Sequence, residues 1–399
     1  MRFYNLIVNF LYFVLFPFLF IFKRKEILAR SVIDVPIQKK SIWIHGASVG
    51  EINAAVEFIP QISLKFPNNQ IVVSTMTRTG LETAKRTFPK FPVFLYPLDL
   101  NFLIKNLLKR IDPVAIIILE TEFWPNLLHF AQLYNIPIYI VNGRITKKSF
   151  KSYKNSLFFW RKLFKAIKKV GVQSEIDLKH YRELDFENVS ITKNLKYSVS
   201  LPSFNRKDVR NKWNLNDEDF VIVFGSSRQE EEKILLNLFP ILKSKIANLK
   251  IIICPRHLNR LVEIISVFQD HNYCLYSNIK NDFSTLIIDE MGILTQAYAV
   301  SDISLVGGSF YDFGGHNPLE PAFYHNAIVM GKYFSSCTDS VKKLQENGGI
   351  IISTIEDIKK NIIKIYKDPA YRKLLGENAK SVLSQNSDSL KKNLDLIEL

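Results

Sequence analysis

Seven stretches set chemically useful side chains beside or just beyond apolar runs. Ile42-Trp43-Ile44-His45-Gly46-Ala47-Ser48-Val49-Gly50-Glu51 passes from a strand-like segment into a helix start. Ser48 and Glu51 fit the S-x-x-E capping box, so Glu51 reads as a helix cap. The same place also suits a general base, because a helix N-terminus favours the ionised carboxylate that can accept a proton. In Glu120-Thr121-Glu122-Phe123-Trp124-Pro125-Asn126, two carboxylates follow the apolar Ile116–Leu119. Glu122 reads as a helix N-terminal charge ahead of Pro125, whereas Glu120 abuts the strand and is hard to explain as solvated surface. Asn194-Leu195-Lys196-Tyr197 carries a lone lysine after Val189–Thr192.

Three further stretches have the chemistry of anion binding. Gly225-Ser226-Ser227-Arg228, followed by Glu230–Glu232, suits an anion turn at a helix start. Cys254-Pro255-Arg256-His257 sets an arginine at a strand end, where it can pair bidentately with phosphate. Val306-Gly307-Gly308-Ser309 is soon followed by Gly314-Gly315-His316-Asn317-Pro318-Leu319-Glu320-Pro321. Glycines at this density let backbone approach a ligand closely, and the next helix start can hold a phosphate. Glu320 could accept from ribose hydroxyls. The seventh stretch, Val141 to Lys169, holds ten Lys/Arg and no acid, interleaved with Phe150, Tyr153, Leu157, Phe158, Trp160, Phe164 and Ile167. It reads as a basic amphipathic helix suited to an anionic membrane surface or phosphorylated lipid, or as a solvated basic face over a packed one. No nucleic-acid-binding motif accompanies it. There is no Walker A run, no H-E-x-x-H and no G-x-S-x-G elbow. Asp217-Glu218-Asp219 formally matches D-x-D but sits in a polar stretch, as a solvated turn would.

The elements that must position these groups alternate between strand and helix. Ile42–Ile44, Ile71–Ser74, Val93–Leu95, Val114–Leu119 and Ile138–Val141 read as buried strands. Ile52, Ala55, Val56 and Ile59 recur at helical spacing between them. The pattern restarts after Asn205–Asn216, read as a linker, with Phe220–Phe224, Lys250–Cys254, Leu286–Asp289, Ile303–Val306 and Ala327–Met330. The expectation is an α/β protein of two doubly wound, Rossmann-like domains facing across a cleft, with ligands beyond the carboxyl ends of the strands. The expected division is an N-terminal anchor over 1–30, one domain over 31–204, a second over 205–370 and a closing helix over 371–399. Phe3–Phe22 has no charge and as a helix would be about 30 Å long, enough to span hydrocarbon. Lys23-Arg24-Lys25 and Arg30 follow, which would keep the remainder cytoplasmic. A cleaved signal peptide, or a helix buried in the protein or lying in the interface, are the other readings of that segment.

Composition is consistent with this scheme. The chain has 399 residues, 47% hydrophobic and 23% charged, with three scattered cysteines and no C-x-x-C pair. That excludes a disulfide scaffold, a zinc ribbon and a disordered chain. The net charge of +15 lies wholly in the first half: residues 1–200 hold 29 Lys/Arg against 14 Asp/Glu, and the rest is balanced. Such asymmetry points to an anionic partner for that half alone.

Taken in order, these motifs resemble the 3-deoxy-D-manno-oct-2-ulosonic acid (Kdo) transferase family across nearly the whole chain. The specific matches are Ser48-Val49-Gly50-Glu51, Glu120 to Asn126, Pro255-Arg256-His257 and Gly314 to Glu320. Ser74-Thr75-Met76-Thr77-Arg78-Thr79-Gly80, Val141-Asn142-Gly143-Arg144 and Asp289-Glu290-Met291-Gly292 support them. The resemblance implies a GT-B fold, CMP-Kdo as donor, a lipid A precursor (lipid IVA) as acceptor, and catalysis with no metal or other cofactor. It implies Glu51 as base, with Glu120 and Lys196 stabilising the transition state. It places CMP at Pro255, Arg256 and His257, at Met291, Gly292 and Ile293, and at Gly315, Asn317, Pro318, Leu319 and Glu320. Three positions depart from the family pattern. Ile293 replaces a glutamate, which leaves only a backbone contact there; Arg228 stands where the family has histidine; Asn194 replaces glycine or serine. The expected setting is a bacterial inner membrane with the catalytic domains on its cytoplasmic side and no nucleic-acid partner. A GT-B enzyme using another nucleotide-sugar, and a non-catalytic charged adaptor, are the competing expectations.

Overall fold

A computed structural model describes residues 1, 4–12, 14, 30–31, 35–198 and 201–399. Contacts divide the chain into two compact units, Met1–Ser198 with Asn386–Leu399, and Val199–Gln385.

The first unit is built on a seven-stranded sheet of order β3-β2-β1-β4-β5-β6-β7. Its strands are β1 (Ser41–His45), β2 (Gln70–Thr75), β3 (Val93–Leu95), β4 (Pro113–Leu119), β5 (Ile138–Gly143), β6 (Ile167–Val172) and β7 (Val189–Ile191). Every pairing is parallel. Helices cover both faces, so central strands bury both sides and read as continuous apolar runs. Ile116 and Ile118 enter one core with Leu127 and Phe164, while Ile117 and Leu119 enter the opposite one with Ile52 and Ile59.

The second unit repeats the plan with a sheet of order β10-β11-β9-β8-β12-β13-β14. Its strands are β8 (Phe220–Ser227), β9 (Leu249–Pro255), β10 (Tyr273–Leu275), β11 (Thr285–Ile287), β12 (Ile303–Val306), β13 (Ala327–Met330) and β14 (Ile350–Ile352), again all parallel.

Four expectations change. The polar stretch Asn205–Asn216 is not a bare linker. It holds the helix Arg206–Lys212 and the fully buried Trp213, because buried Arg210 donates to the carbonyls of Val300, Asn216 and Asp219. The basic run is not one helix. It forms Lys147–Asn155 and Leu157–Phe164 and ends in β6. Lys168 and Lys169 hide that strand in the sequence; they are tolerated because β7 pairs only with Val170–Val172. The short strands β10 and β14 carry too few residues to show a period. The closing helix is two, Pro369–Ser384 in the second unit and Ser389–Asp395 in the first.

Of the expected anchor, Phe3–Phe22, only residues 4–12 and 14 are described, and the rest lies outside the described residues. Among the described residues, no helix is long and apolar enough to cross a membrane. Residues 4–12 and 14 are helical, and Tyr4 there donates to Asp99 Oδ2 at 3.2 Å.

Candidate active site

In a doubly wound sheet, ligands bind where strand order reverses. In the first unit that point lies between β1 and β4. Glu51 follows β1 and Glu120 follows β4, so the topology sets these two carboxylates at neighbouring strand ends although 69 positions separate them in sequence.

Ser48 caps the helix Val49–Ala54 and accepts from the Glu51 N–H at 3.3 Å. The Glu51 carboxylate turns back on the same loop, accepting from the Ala47 N–H at 2.6 Å and from the Ser48 hydroxyl at 2.9 Å. The capping box and the candidate base are therefore one group. Burial pushes the Glu51 carboxyl up to about 7, with the nearby Glu120 adding to the rise and the bonds from Ala47 and Ser48 opposing it. A carboxylate balanced near neutrality is suited to accepting a proton.

Glu120 sits in the left-handed region at φ +58° and donates its N–H to Val141 O at 2.9 Å. This turn lifts its side chain out of the strand alternation. Lys196 Nζ stands 3.6 Å from Glu120 Oε1, on the 3-10 turn Leu195–Tyr197. The structure thus brings the candidates Glu51, Glu120 and Lys196 into one cluster.

Glu122 plays a different part from that expected of a helix charge. Its Oε2 accepts from Trp124 Nε1 at 3.0 Å and lies 3.2 Å from His45 Nε2, whose Nδ1 reaches Ser74 Oγ at 2.7 Å. It braces β1 and β2 against the turn that carries Glu120. The helix Pro125–Leu133 has no cap from its own Trp124. Asp99 supplies one from a distance, accepting from the N–H groups of Asn126 at 2.9 Å and Leu127 at 3.3 Å. Nothing in the local pattern singles out Asp99, since its partners lie 27 and 28 positions away.

The second unit has its own strand-order reversal, between β8 and β12. There the buried Glu231 carboxylate gathers four backbone N–H groups, from Arg228, Gly308, Ser309 and Phe310, at 2.8–3.0 Å. Gly307 is required by close approach: a Cβ there would lie 2.4 Å from Ser226 O. Gly315 is required by its φ of +74° and by Met330 and Tyr333 packed behind it. Arg256 follows β9 and is held by its N–H to Ser227 O at 3.0 Å, while its guanidinium stays exposed. Pro255 ends β9, and exposed His257 contacts Arg228 Nη1. Burial lowers His316 to about 4, helped by the nearby charges of Arg256 and Arg228, so its ring is neutral near pH 7. Burial raises Glu320, against the pull of Arg256. Arg256, His316 and Glu320 therefore share one field. Asn317 Oδ1 accepts from Leu319 N at 3.1 Å at the start of the helix Leu319–Phe323, where Pro318 and Leu319 are buried. Met291 is 72% exposed, Gly292 has φ +86° with open space around it, and Ile293 begins the helix Leu294–Val300.

The basic helices of the first unit turn their aromatic side chains inward, where Phe123 meets Phe164 and Trp160. Their lysines face out, and Phe158 is 87% exposed. The reading of a basic face over a packed one holds: one face is packed, and the exposed other carries the pairs Lys154–Glu183 and Arg161–Asp185 among the described residues.

The family model described as 3-deoxy-D-manno-octulosonic-acid transferase (kdotransferase) matches residues 22–199. A 3-deoxy-D-manno-octulosonic acid transferase of Haemophilus influenzae is 31% identical over 370 residues, covering 90% of this chain and 87% of that protein. The chain belongs to the Kdo transferase family. A bifunctional glycosyltransferase/methyltransferase of Fusobacterium nucleatum is 35% identical over 337 residues, covering 80% of this chain; the chain spans 52% of that relative's length. Among solved structures, MurG of Acinetobacter baumannii superposes with a TM-score of 0.54, covering 90% of this chain and 99% of that one at 16% identity. That likeness concerns the fold, which is of the GT-B glycosyltransferase type, α/β with two parallel sheets.

Proposed function

We propose that this Kdo transferase moves Kdo from CMP-Kdo to a hydroxyl of a lipid A precursor, lipid IVA, by single displacement with inversion. The observation that carries this reading is the convergence of Glu51, Glu120 and Lys196, with Glu51 held near 7 by burial and its acidic neighbour. Glu51 takes the proton of the acceptor hydroxyl as that oxygen bonds to the anomeric carbon. The bond from that carbon to the CMP phosphate oxygen breaks, and its electron pair leaves with CMP. Lys196 offsets negative charge growing on the phosphate, and Glu120 stabilises the cationic, oxocarbenium-like sugar. Preorganised charges of this kind are worth about 3–4 kcal/mol each.

The donor nucleotide is assigned to the second unit, with its phosphate at Arg256 and the turn ahead of Asn317, and with Glu320 toward the ribose. The acceptor is assigned to the first unit, whose charge excess suits a phosphorylated lipid at the cytoplasmic face of a bacterial inner membrane. The test is a transfer assay with enzymatically generated CMP-Kdo, tetra-acylated lipid A precursor and EDTA, with products read by mass. A Kdo increment on the lipid is expected. Folded protein that neither transfers nor binds CMP overturns the donor assignment in favour of another nucleotide-sugar. CMP binding without transfer overturns the acceptor.

A further inference from the structure

Val141-Asn142-Gly143-Arg144 enters the family resemblance without a role, and the chain's last residues were expected only to end it. The structure joins the two beneath Lys196. Asn142, at the end of β5, is buried and has φ +59°, which turns its backbone out of the regular strand path. Its Oδ1 accepts from Leu195 N at 2.9 Å. Its carbonyl accepts from Gln173 Nε2 at 2.9 Å, and Gln173 Oε1 accepts from Asn194 Nδ2 at 2.9 Å. Asn194 Oδ1 in turn accepts from Lys196 N at 2.9 Å. The turn bearing Lys196 thus hangs on Asn142 by two routes.

Asn142 is itself held from the far end of the chain. Its N–H donates to Asn393 Oδ1 at 3.2 Å. Asn393 lies in the helix Ser389–Asp395, is wholly buried, and anchors its own Nδ2 on Ser389 O at 2.8 Å. The segment around it is fastened throughout. Lys193 pairs with Asp388 at 2.8 Å, Lys65 Nζ donates to Leu394 O at 2.7 Å and Ile397 O at 3.0 Å, and Tyr139 OH donates to Glu398 O. Leu195, Leu396 and Ile397 share one apolar cluster. Sealing that cluster needs only apolar side chains. A buried amide adds nothing to sealing and costs free energy unless paired, so its use at 393 is to orient the backbone it bonds.

We infer that Asn393 acts through Asn142 as a positioning residue for Lys196, which makes the Asn386–Leu399 segment a working part of the transfer site. This rests on the proposed role of Lys196 in transfer. A lysine displaced by about 1 Å loses much of its hold on the developing charge, which costs up to about a hundredfold in rate.

The test is a mutant cycle on the full chain with CMP-Kdo and the lipid acceptor. Asn393→Ala is expected to lower kcat about ten- to a hundredfold, with donor KM within about threefold and CMP affinity unchanged. In a Lys196→Ala background the same change is expected to cost nothing further, because the group it positions is gone. Asn393→Asp, which keeps an oxygen facing the Asn142 N–H, is expected to restore most of kcat. Asn142→Gly accepts the positive φ without strain and removes only the acceptor for Leu195 N. It is expected to reproduce the kcat loss, and it carries the cycle if Asn393→Ala fails to fold. Wild-type kcat in a folded Asn393→Ala or Asn142→Gly protein overturns the proposal, as does an equal loss in both backgrounds. Wild-type kcat in Lys196→Ala removes the lysine from catalysis, and the proposal with it.

Discussion

Glu51 carries both structural and chemical duties. Its carboxylate closes a capping box, with bonds that hold its side chain in one orientation. Burial and Glu120 meanwhile keep its proton affinity high. Glu51→Ala is expected to lower the transfer rate by about 10²–10⁴-fold. Circular dichroism should remain native, because losing one helix cap costs only about 1 kcal/mol. Wild-type turnover in that protein removes Glu51 from the base role. The raised pKa also fixes a sign. The base form fills as pH rises through about 7, so kcat/KM should climb with pH there and then level off. Glu120→Gln removes a negative neighbour that raises Glu51, so the acid limb of the profile should move to lower pH while kcat falls. An unmoved limb would show that the limb does not report Glu51.

At the scale of elements, each turn is held by a group distant in sequence. Asp99 caps the helix Pro125–Leu133 and also receives Tyr4 from the N-terminal helix. Burial raises its carboxyl to about 7, from an ordinary value of 3.8. The folded protein therefore binds this proton more tightly than the unfolded chain, and the Asp99 contribution to stability declines as pH rises from about 4 to about 7. Asp99→Asn keeps one acceptor for the helix and removes the charge. The fall in melting temperature between pH 5 and pH 8 should accordingly be smaller in Asp99→Asn than in wild type, as read by calorimetry. An equal fall in both proteins means another group sets it. Glu231 is the matching device in the second unit: one buried carboxylate gathers the turn after β8 and the glycine turn after β12. Glu231→Ala leaves four N–H groups without that partner and is expected to weaken CMP binding at least tenfold by titration calorimetry, about 1.4 kcal/mol or more.

For the whole molecule, the deciding quantity is where the charge lies. The excess of basic residues lies in the first half while the second half is balanced, so the proposed association with an anionic lipid surface can be tested on the first half alone. Binding of the full chain to phosphatidylglycerol vesicles should weaken steeply as salt rises from about 0.05 to 0.5 M, where the screening length shortens from about 14 Å to about 4 Å. Reversing the exposed Lys147, Lys148 and Lys151 to glutamate should reduce it further, while reversing the exposed Lys359 and Lys360 of the second unit should not. Equal effects from the two sets would mean that the basic helices are not the surface that binds the vesicles.

Local chemistry by itself determines much of the fold. Ile116–Leu119 is apolar throughout, and Ile303–Val306 is apolar but for the buried Ser304, because both faces of their sheets are covered, which marks them as central parallel strands. Ser48 and Glu51, three positions apart, declare a helix start. Strand order lies beyond such reasoning, because pairing is a long-range choice made by the whole core. Only the fold decides that β1 adjoins β4, so that Glu120 comes near Glu51 and adds to the rise in its proton affinity. Partners far apart in sequence leave no local pattern, so neither the cap that Asp99 gives at Asn126 nor the bonds of Glu231 to Gly308, Ser309 and Phe310 can be read from the sequence. The same holds for the chain's end: only tertiary packing returns Asn393 to the first unit, because the apolar strip beside β5 and Leu195 is buried only when Leu396 and Ile397 lie on it.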